Sequence, residues 1–300
     1  MDEPIFQHPL AYLLGLEGLA LLRGWAGDYG ENFTRERLAE VRQLLDDPGL
    51  TSHPGVPVAR ATLGAGYRRW AGDYDGPNRL FTLDEPFVHG VVDRLPAGVA
   101  LDAACGTGRF AETLTRRGHR VIGVDGSADM LRVARSRVPS ARFALGDLRR
   151  LPVADMSVDL VVCALALSHV ASLEPVMAEF ARVLTPGGHL VISDVHHELV
   201  FRGSVIAAPG PAGEPGLVPT YRHPPGDFLR AALAQGLEVR ACEEPGLPTG
   251  TAPGPDGVGP WRDWPWSLMD LLPEARDAAW DVPLVINWHF QGAPRSSASR

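Results

Sequence analysis

The chain has 300 residues, is 45% hydrophobic and carries a formal net charge of −8. That length supports one large domain or a domain with an attachment, and the scattered arginines argue against a nucleic-acid backbone as partner. Cys105, Cys163 and Cys242 lack CxxC spacing, which argues against a disulfide framework or zinc site and points to a reducing cytoplasm.

From Pro9 to Asp47 the apolar positions recur at helical spacing, through Leu10, Leu13 and Leu14 and later Leu38, Val41, Leu44 and Leu45. The N-terminus lacks the basic region of a signal peptide, and no apolar run reaches the ~20 residues that a membrane helix needs. Residues 46–57 hold three prolines and two glycines and read as a linker. Residues 62–95 are again mainly helical and carry Tyr67, Trp70 and Tyr74.

From Val99 the texture changes to short strands alternating with helices. Strands are predicted over Val99–Ala104, Val121–Val124, Arg142–Ala144, Val158–Ala164 and Gly188–Asp194. The intervening helices are predicted over Phe110–Arg117, Met130–Arg137 and Glu174–Leu184. Strands this apolar are buried on both faces, which predicts a parallel α/β sheet covered by helices on both sides. Residues 196–225 form a long Gly/Pro-rich loop, of a kind that is usually functional or mobile. A helix over Gly226–Gln235, a strand over Leu237–Ala241, a second loop and a strand near Leu284–Phe290 close the chain, with Arg295–Arg300 expected to fray.

The chemistry concentrates at Leu101–Arg109, LDAACGTGR, between a predicted strand and a predicted helix. Glycines there let the backbone turn sharply and let a ligand approach closely. Asp125 ends the next strand about 20 residues on, where a carboxylate can accept from both ribose hydroxyls. A Walker-type loop needs Gly-Lys-Ser/Thr, which is absent, and a dinucleotide loop prefers a third glycine where Ala111 stands. The Asp102 carboxylate repels a pyrophosphate and suits a cationic amino-acid portion, favouring S-adenosylmethionine over NAD.

These residues resemble motif I of the class I S-adenosylmethionine-dependent methyltransferases. Val121–Asp125, Gly146-Asp147-Leu148, Val158–Leu165 and Leu184–Gly188 resemble the later motifs, in order and at family-like distances. The resemblance covers roughly residues 60–245. Ala104 departs from it, standing where the family usually has the first glycine.

The resemblance implies a Rossmann-like, seven-stranded, mostly parallel sheet with one reversed strand at its edge, plus an N-terminal helical extension. It implies S-adenosylmethionine as cofactor and S-adenosylhomocysteine as product. Asp102, Ala104 and Gly106 would line the methionine side. Asp125 would hold the ribose with Gly126 and Met130 nearby, and Asp147 and Leu148 the adenine. Cys163 or Ala164 would face the methionyl amine.

Acceptor chemistry is expected beyond the carboxyl ends of the strands. His196, after the fifth strand of this run, is the first general-base candidate, because an imidazole titrates near neutral pH. His223, at the end of the long loop, is a second. Tyr74 would shield the sulfonium by cation–π attraction. His169, His197, Tyr67 and Glu85 complete the candidate acceptor lining. No metal is expected.

Residues 1–96 are expected to form a helical extension or lid. The core is expected over 97–300, with a substrate loop around 196–225 and an insertion around 245–280. The extension has two open readings, a roof over the acceptor pocket or a homodimer contact. The expected activity is methyl transfer to a small organic acceptor, an aromatic or alkaloid-type specialised metabolite, with the methylated atom undecided. The chain also resembles actinobacterial enzymes of natural-product, including antibiotic, biosynthesis. The competing readings are a catalytically silent donor-binding protein, regulatory or scaffolding, and an enzyme using the same cofactor for other chemistry. The chain reads as cytoplasmic, with neither membrane nor nucleic acid as partner.

Overall fold

The structure is a computed structural model that describes residues 5–64, 78–203, 206–210, 212–246 and 257–294. Tyr67, Trp70 and Tyr74, and the tail from Arg295, lie outside the described residues. Among the described residues the strands are β1 (Ile5–Gln7), β2 (Val56–Arg60), β3 (Val99–Ala103), β4 (Arg120–Asp125), β5 (Arg142–Leu145), β6 (Val158–Ala164), β7 (Leu184–Val195), β8 (Ile206–Ala207), β9 (Gly216–Val218), β10 (Leu237–Glu243) and β11 (Val285–Gly292). No helix among them is long and apolar enough to cross a membrane.

The chain divides into two compact units. The larger takes residues 62–202, 219–246 and 283–300, so the expected boundary at 96 falls inside it. It holds a seven-stranded sheet in the order β10-β11-β7-β6-β3-β4-β5. The strands β7, β6, β3, β4 and β5 run parallel. One face packs Leu101, Val161, Cys163, Leu190 and Ile192 against Met177 and Phe180 of the helix Glu174–Val183 and Phe228 of the helix Pro225–Leu233. The other face packs Ala100, Leu160, Val162 and Val191 against Phe87, Val88 and Val91 of the helix Phe81–Val92, and Phe110 and Leu114 of the helix Arg109–Arg116. Apolar residues on both faces of the central strands are what the near-continuous hydrophobic runs required.

The expected position of the reversed strand needs correction. The antiparallel strand is β11, and it lies inside the sheet between β10 and β7. Its sequence explains this: Val285, Ile286, Trp288 and Phe290 are all buried, which suits a strand paired on both sides. β10 takes the edge, with Glu238, Arg240 and Glu243 exposed, the charged pattern that protects a free edge.

The smaller unit takes residues 1–61, 203–218 and 247–282. Leu13, Leu16 and Ala20 of the helix Pro9–Ala26 pack with Leu268, Met269, Leu272, Ala275 and Ala279. A four-stranded sheet in the order β1-β2-β9-β8 accompanies these helices. The expected linker, residues 46–57, holds a short helix, Pro48–Thr51, and runs into β2, and the long loop contributes β8 and β9. β2 pairs with β1 and with β9, partners too far along the chain for local periodicity to reveal, and β8 pairs with β9 across a short stretch of the same loop.

Candidate functional site

Five parallel strands end at one edge of the large sheet, and the turn after β3 sits among them. Ala104, Gly106 and Gly108 adopt the left-handed conformation, with φ of 58°, 53° and 88°. Cys105 N–H donates to Val124 O at 3.0 Å and Gly108 N–H to Cys105 O at 2.8 Å, so the turn closes onto the end of β4. A Cβ on Gly108 would lie 3.2 Å from Ala134 Cβ and 3.3 Å from its Cα, so the turn also needs glycine for packing. The helix Arg109–Arg116 follows at once.

Ala104 carries a cost there, because a left-handed L-residue is disfavoured by about 1–2 kcal/mol. Ala104→Gly is expected to raise the thermal midpoint slightly, by the equivalent of about 1 kcal/mol or less, since glycine also loosens the unfolded chain. Scanning calorimetry checks this; a lowered midpoint would show that the methyl group packs favourably.

Asp125 fastens the turn. Its Oδ2 accepts from Gly106 N–H at 2.8 Å and its Oδ1 from Ser127 N–H at 2.8 Å. Burial raises its pKa, and the two amides pull it down. Each oxygen keeps a further lone pair, so the carboxylate can still accept from a diol. Asp102 lies deeper. Burial pushes it up to about 7, opposed by the Ala111 amide and the Arg109 charge. Its Oδ2 is buried with no hydrogen-bond partner among the described residues. A buried acceptor of this kind calls for a partner, and a cationic ammonium suits it chemically.

The flanking positions are more mixed. Gly126, next to Asp125, is exposed, while Met130 is fully buried in the helix Ala128–Arg137. Asp147 is exposed and held by Arg149, at 2.8 Å from its amide and 2.9 Å from Nε, which lowers its pKa. Leu148 packs on the core. Cys163 is buried and Ala164 half-buried at the end of β6, followed by Leu165 with φ of 53°.

Residues 101–192 match the model of a methyltransferase domain. That segment is a methyltransferase domain. The chain is 32% identical over 136 residues to a malonyl-[acyl-carrier protein] O-methyltransferase of Serratia marcescens, covering 45% of this chain and 53% of that one. It is 34% identical over 163 residues to a demethylmenaquinone methyltransferase of Renibacterium salmoninarum, covering 54% and 61%. The chain thus spans little more than half the length of these curated relatives. A Haloferax volcanii methyltransferase solved with its Trm112 activator superposes with a TM-score of 0.55 at 20% identity, covering 79% of this chain and 100% of that one. The [4+2]-cyclase SpnF superposes with a TM-score of 0.51 at 18% identity, covering 81% and 100%. These structural likenesses establish the fold alone. The cofactor of the methyltransferase domain is S-adenosylmethionine.

The histidines of the domain separate by how their nitrogens are used. His196 caps the short helix His197–Phe201, its Nδ1 accepting from Glu198 N–H at 3.2 Å. Its Nε2 therefore carries the proton and donates to Glu244 at 2.8 Å. Both nitrogens of this buried ring are occupied. The His197 ring lies tilted against it at 4.5 Å between centroids, and its buried Nδ1, 3.7 Å from Glu198 Oε1, makes no hydrogen bond among the described residues. Burial, and then His196, lower its pKa, so it is neutral near pH 7.

His223 and His169 act as stitches. His223 Nε2 lies 2.7 Å from Val170 O, and His169 Nδ1 lies 3.1 Å from Pro219 O. Tyr221 N–H adds a bond to Ser168 O at 2.7 Å. These contacts tie residues 167–170, which follow β6, to residues 219–223.

Glu85 faces Arg109 at 3.0 Å. Asp84, beside it, is fully buried and takes the same guanidinium through both oxygens. Sequence reading did not single out Arg109 or Asp84. Their signal was present, since an arginine directly after the last glycine begins a helix at the end that disfavours cations. Tyr67 and Tyr74 lie outside the described residues.

Proposed function

We propose that this chain transfers a methyl group from S-adenosylmethionine to a small organic acceptor, of aromatic or alkaloid type. One observation carries the donor half of the reading: the buried, unpartnered Asp102 oxygen beside a glycine turn fastened by Asp125. Asp102 would take the amino group, Asp125 the ribose hydroxyls, and Asp147 the adenine amine once Arg149 yields. When bound, the donor supplies a methyl already activated on a sulfonium. The chain's task is then to align the acceptor, exclude water and accept any proton that must leave. Relatives named for a quinone acceptor and for a malonyl carrier protein favour a small carbon or oxygen nucleophile.

His197 suits the proton-accepting role better than His196, whose nitrogens are engaged. The test uses methyl-labelled S-adenosylmethionine with a panel of phenols, quinones and indoles. Label is expected on an acceptor. His197→Ala is expected to slow transfer to a hydroxyl acceptor by about 10²–10⁴-fold while donor affinity holds. His196→Ala is expected to lower the thermal midpoint through loss of the cap, by about 1 kcal/mol. Tight donor binding with no transfer to any acceptor would favour a silent donor-binding protein. Chemistry without label transfer would favour a non-methyl reaction, which the fold of the [4+2]-cyclase accommodates.

A further inference from the structure

Arg109 stands at an awkward place. It opens the helix Arg109–Arg116, whose N-terminal end carries a partial positive charge that disfavours cations. Its guanidinium is also largely withdrawn from water. Both costs require compensation, and the structure supplies it from a second helix start.

Asp84 lies in the first turn of the helix Phe81–Val92, where carboxylates are favoured, and Glu85 follows it. Asp84 grips the guanidinium at 2.9 and 2.6 Å, Glu85 at 3.0 Å. The rings of Phe81 and Phe110 lie 4.0 and 4.1 Å from the guanidinium carbon. An arginine held in a bidentate fork between two rings has little freedom left.

The same cation acts on Asp102. The groups facing that carboxylate are the Ala111 amide and Arg109 from the helix after the turn, and Asp125 from β4. Cys105 in the turn and Cys163 on β6 also feel it, and both are held as neutral thiols. Among the described residues Arg109 is the cation that acts on Asp102, while Arg135 acts on Cys105.

We propose that Arg109, fixed by Asp84, is a positioning residue of the donor site: its charge favours the carboxylate form of Asp102 that meets the donor's ammonium, and its fork pins the helix end of the glycine turn. This rests on the donor reading above. A carboxylate needed as an anion makes donor affinity fall as pH drops below its pKa. Burial and the Asp125 charge lift Asp102, while the Ala111 amide and Arg109 pull it down, so removing the guanidinium charge moves that fall to higher pH.

The experiment is calorimetric binding of S-adenosylhomocysteine and S-adenosylmethionine from pH 6 to 9. Arg109→Met is expected to bind about fivefold more weakly than wild type at pH 7 and about tenfold at pH 6, the consequence of a midpoint raised from about 7 by about one pH unit, with the deficit against wild type closing toward pH 9. Arg109→Lys, which keeps the charge, is expected to keep the wild-type midpoint. If Arg109→Met does not fold, Asp84→Asn/Arg109→Gln replaces the ion pair by an amide pair and reports the same midpoint. A wild-type midpoint in the charge-free variants, whether affinity falls equally at every pH or not at all, overturns the proposal. Failure of the wild-type protein to bind either ligand overturns the donor reading instead.

Discussion

Asp125→Ala is expected to weaken S-adenosylhomocysteine binding by about 10- to 100-fold, from the loss of charge-assisted hydrogen bonds worth about 1.5–3 kcal/mol. Two effects combine. The carboxylate is the proposed acceptor for the ribose hydroxyls, and it also organises the turn by taking the amides of Gly106 and Ser127. Removing it leaves both donors seeking water and frees a turn built on three left-handed residues. Asp125→Asn separates the two contributions. Its single carbonyl oxygen can keep one amide, so the turn is expected to hold better than in the alanine variant, while the diol loses its charged partner. Titration calorimetry with parallel thermal unfolding reads both. Unchanged binding in Asp125→Ala would remove the ribose assignment; a fall in stability alone would reduce Asp125 to a fastener of the turn.

The legibility of this site follows from how local its determinants are. Asp102, the glycines and Asp125 fall within 24 residues on two strands and the turn between them, so spacing alone brings them to one sheet edge. The central strands were legible for a similar reason, since burial on both faces leaves an apolar run such as Val158–Ala164. What stayed hidden is non-local. Asp84 meets Arg109 across 25 positions and a strand, and the reversed β11 is inside the sheet because of what β10 can tolerate. The small sheet is made of strands of two to five residues, too short for a period to register.

Histidine roles were obscured in a different way. A sequence shows that His196 and His197 can each take a proton, but not which lone pairs the fold consumes. His196 spends one nitrogen on a helix cap and the other on Glu244. A ring committed twice is a poor base whatever its intrinsic pKa, and its neighbour becomes the better candidate through geometry alone. The same reasoning applies to His169 and His223, whose bonds to backbone carbonyls at 3.1 and 2.7 Å fix chain segments.

The largest stability effect is expected in the smaller unit, at Arg37. Glu17, on the helix Pro9–Ala26, is fully buried, and Arg37 reaches it at 3.1 Å while also contacting Glu40 at 3.0 Å. Burial pushes the Glu17 carboxyl up to about 7, and Arg37 is the main group pulling it down. Arg37→Met therefore strands a buried acid, at a cost of about 3–5 kcal/mol, or a fall in Tm of roughly 10 °C. The pH dependence has a definite sign. A carboxyl whose folded pKa lies above its unfolded value of 4.5 takes up a proton on folding between those values, so its contribution to stability declines as pH rises through that window. Without Arg37 the folded pKa climbs further and the window extends upward. The variant should then lie closest to wild type near pH 5 and furthest from it near pH 8. Glu17→Met/Arg37→Met, which removes both charges, is expected to regain most of the loss. Equal stability of Arg37→Met and wild type at pH 8 would show that the pair contributes nothing. Because the donor residues belong to the larger unit, S-adenosylhomocysteine affinity is expected to survive in Arg37→Met at temperatures where the smaller unit has begun to melt.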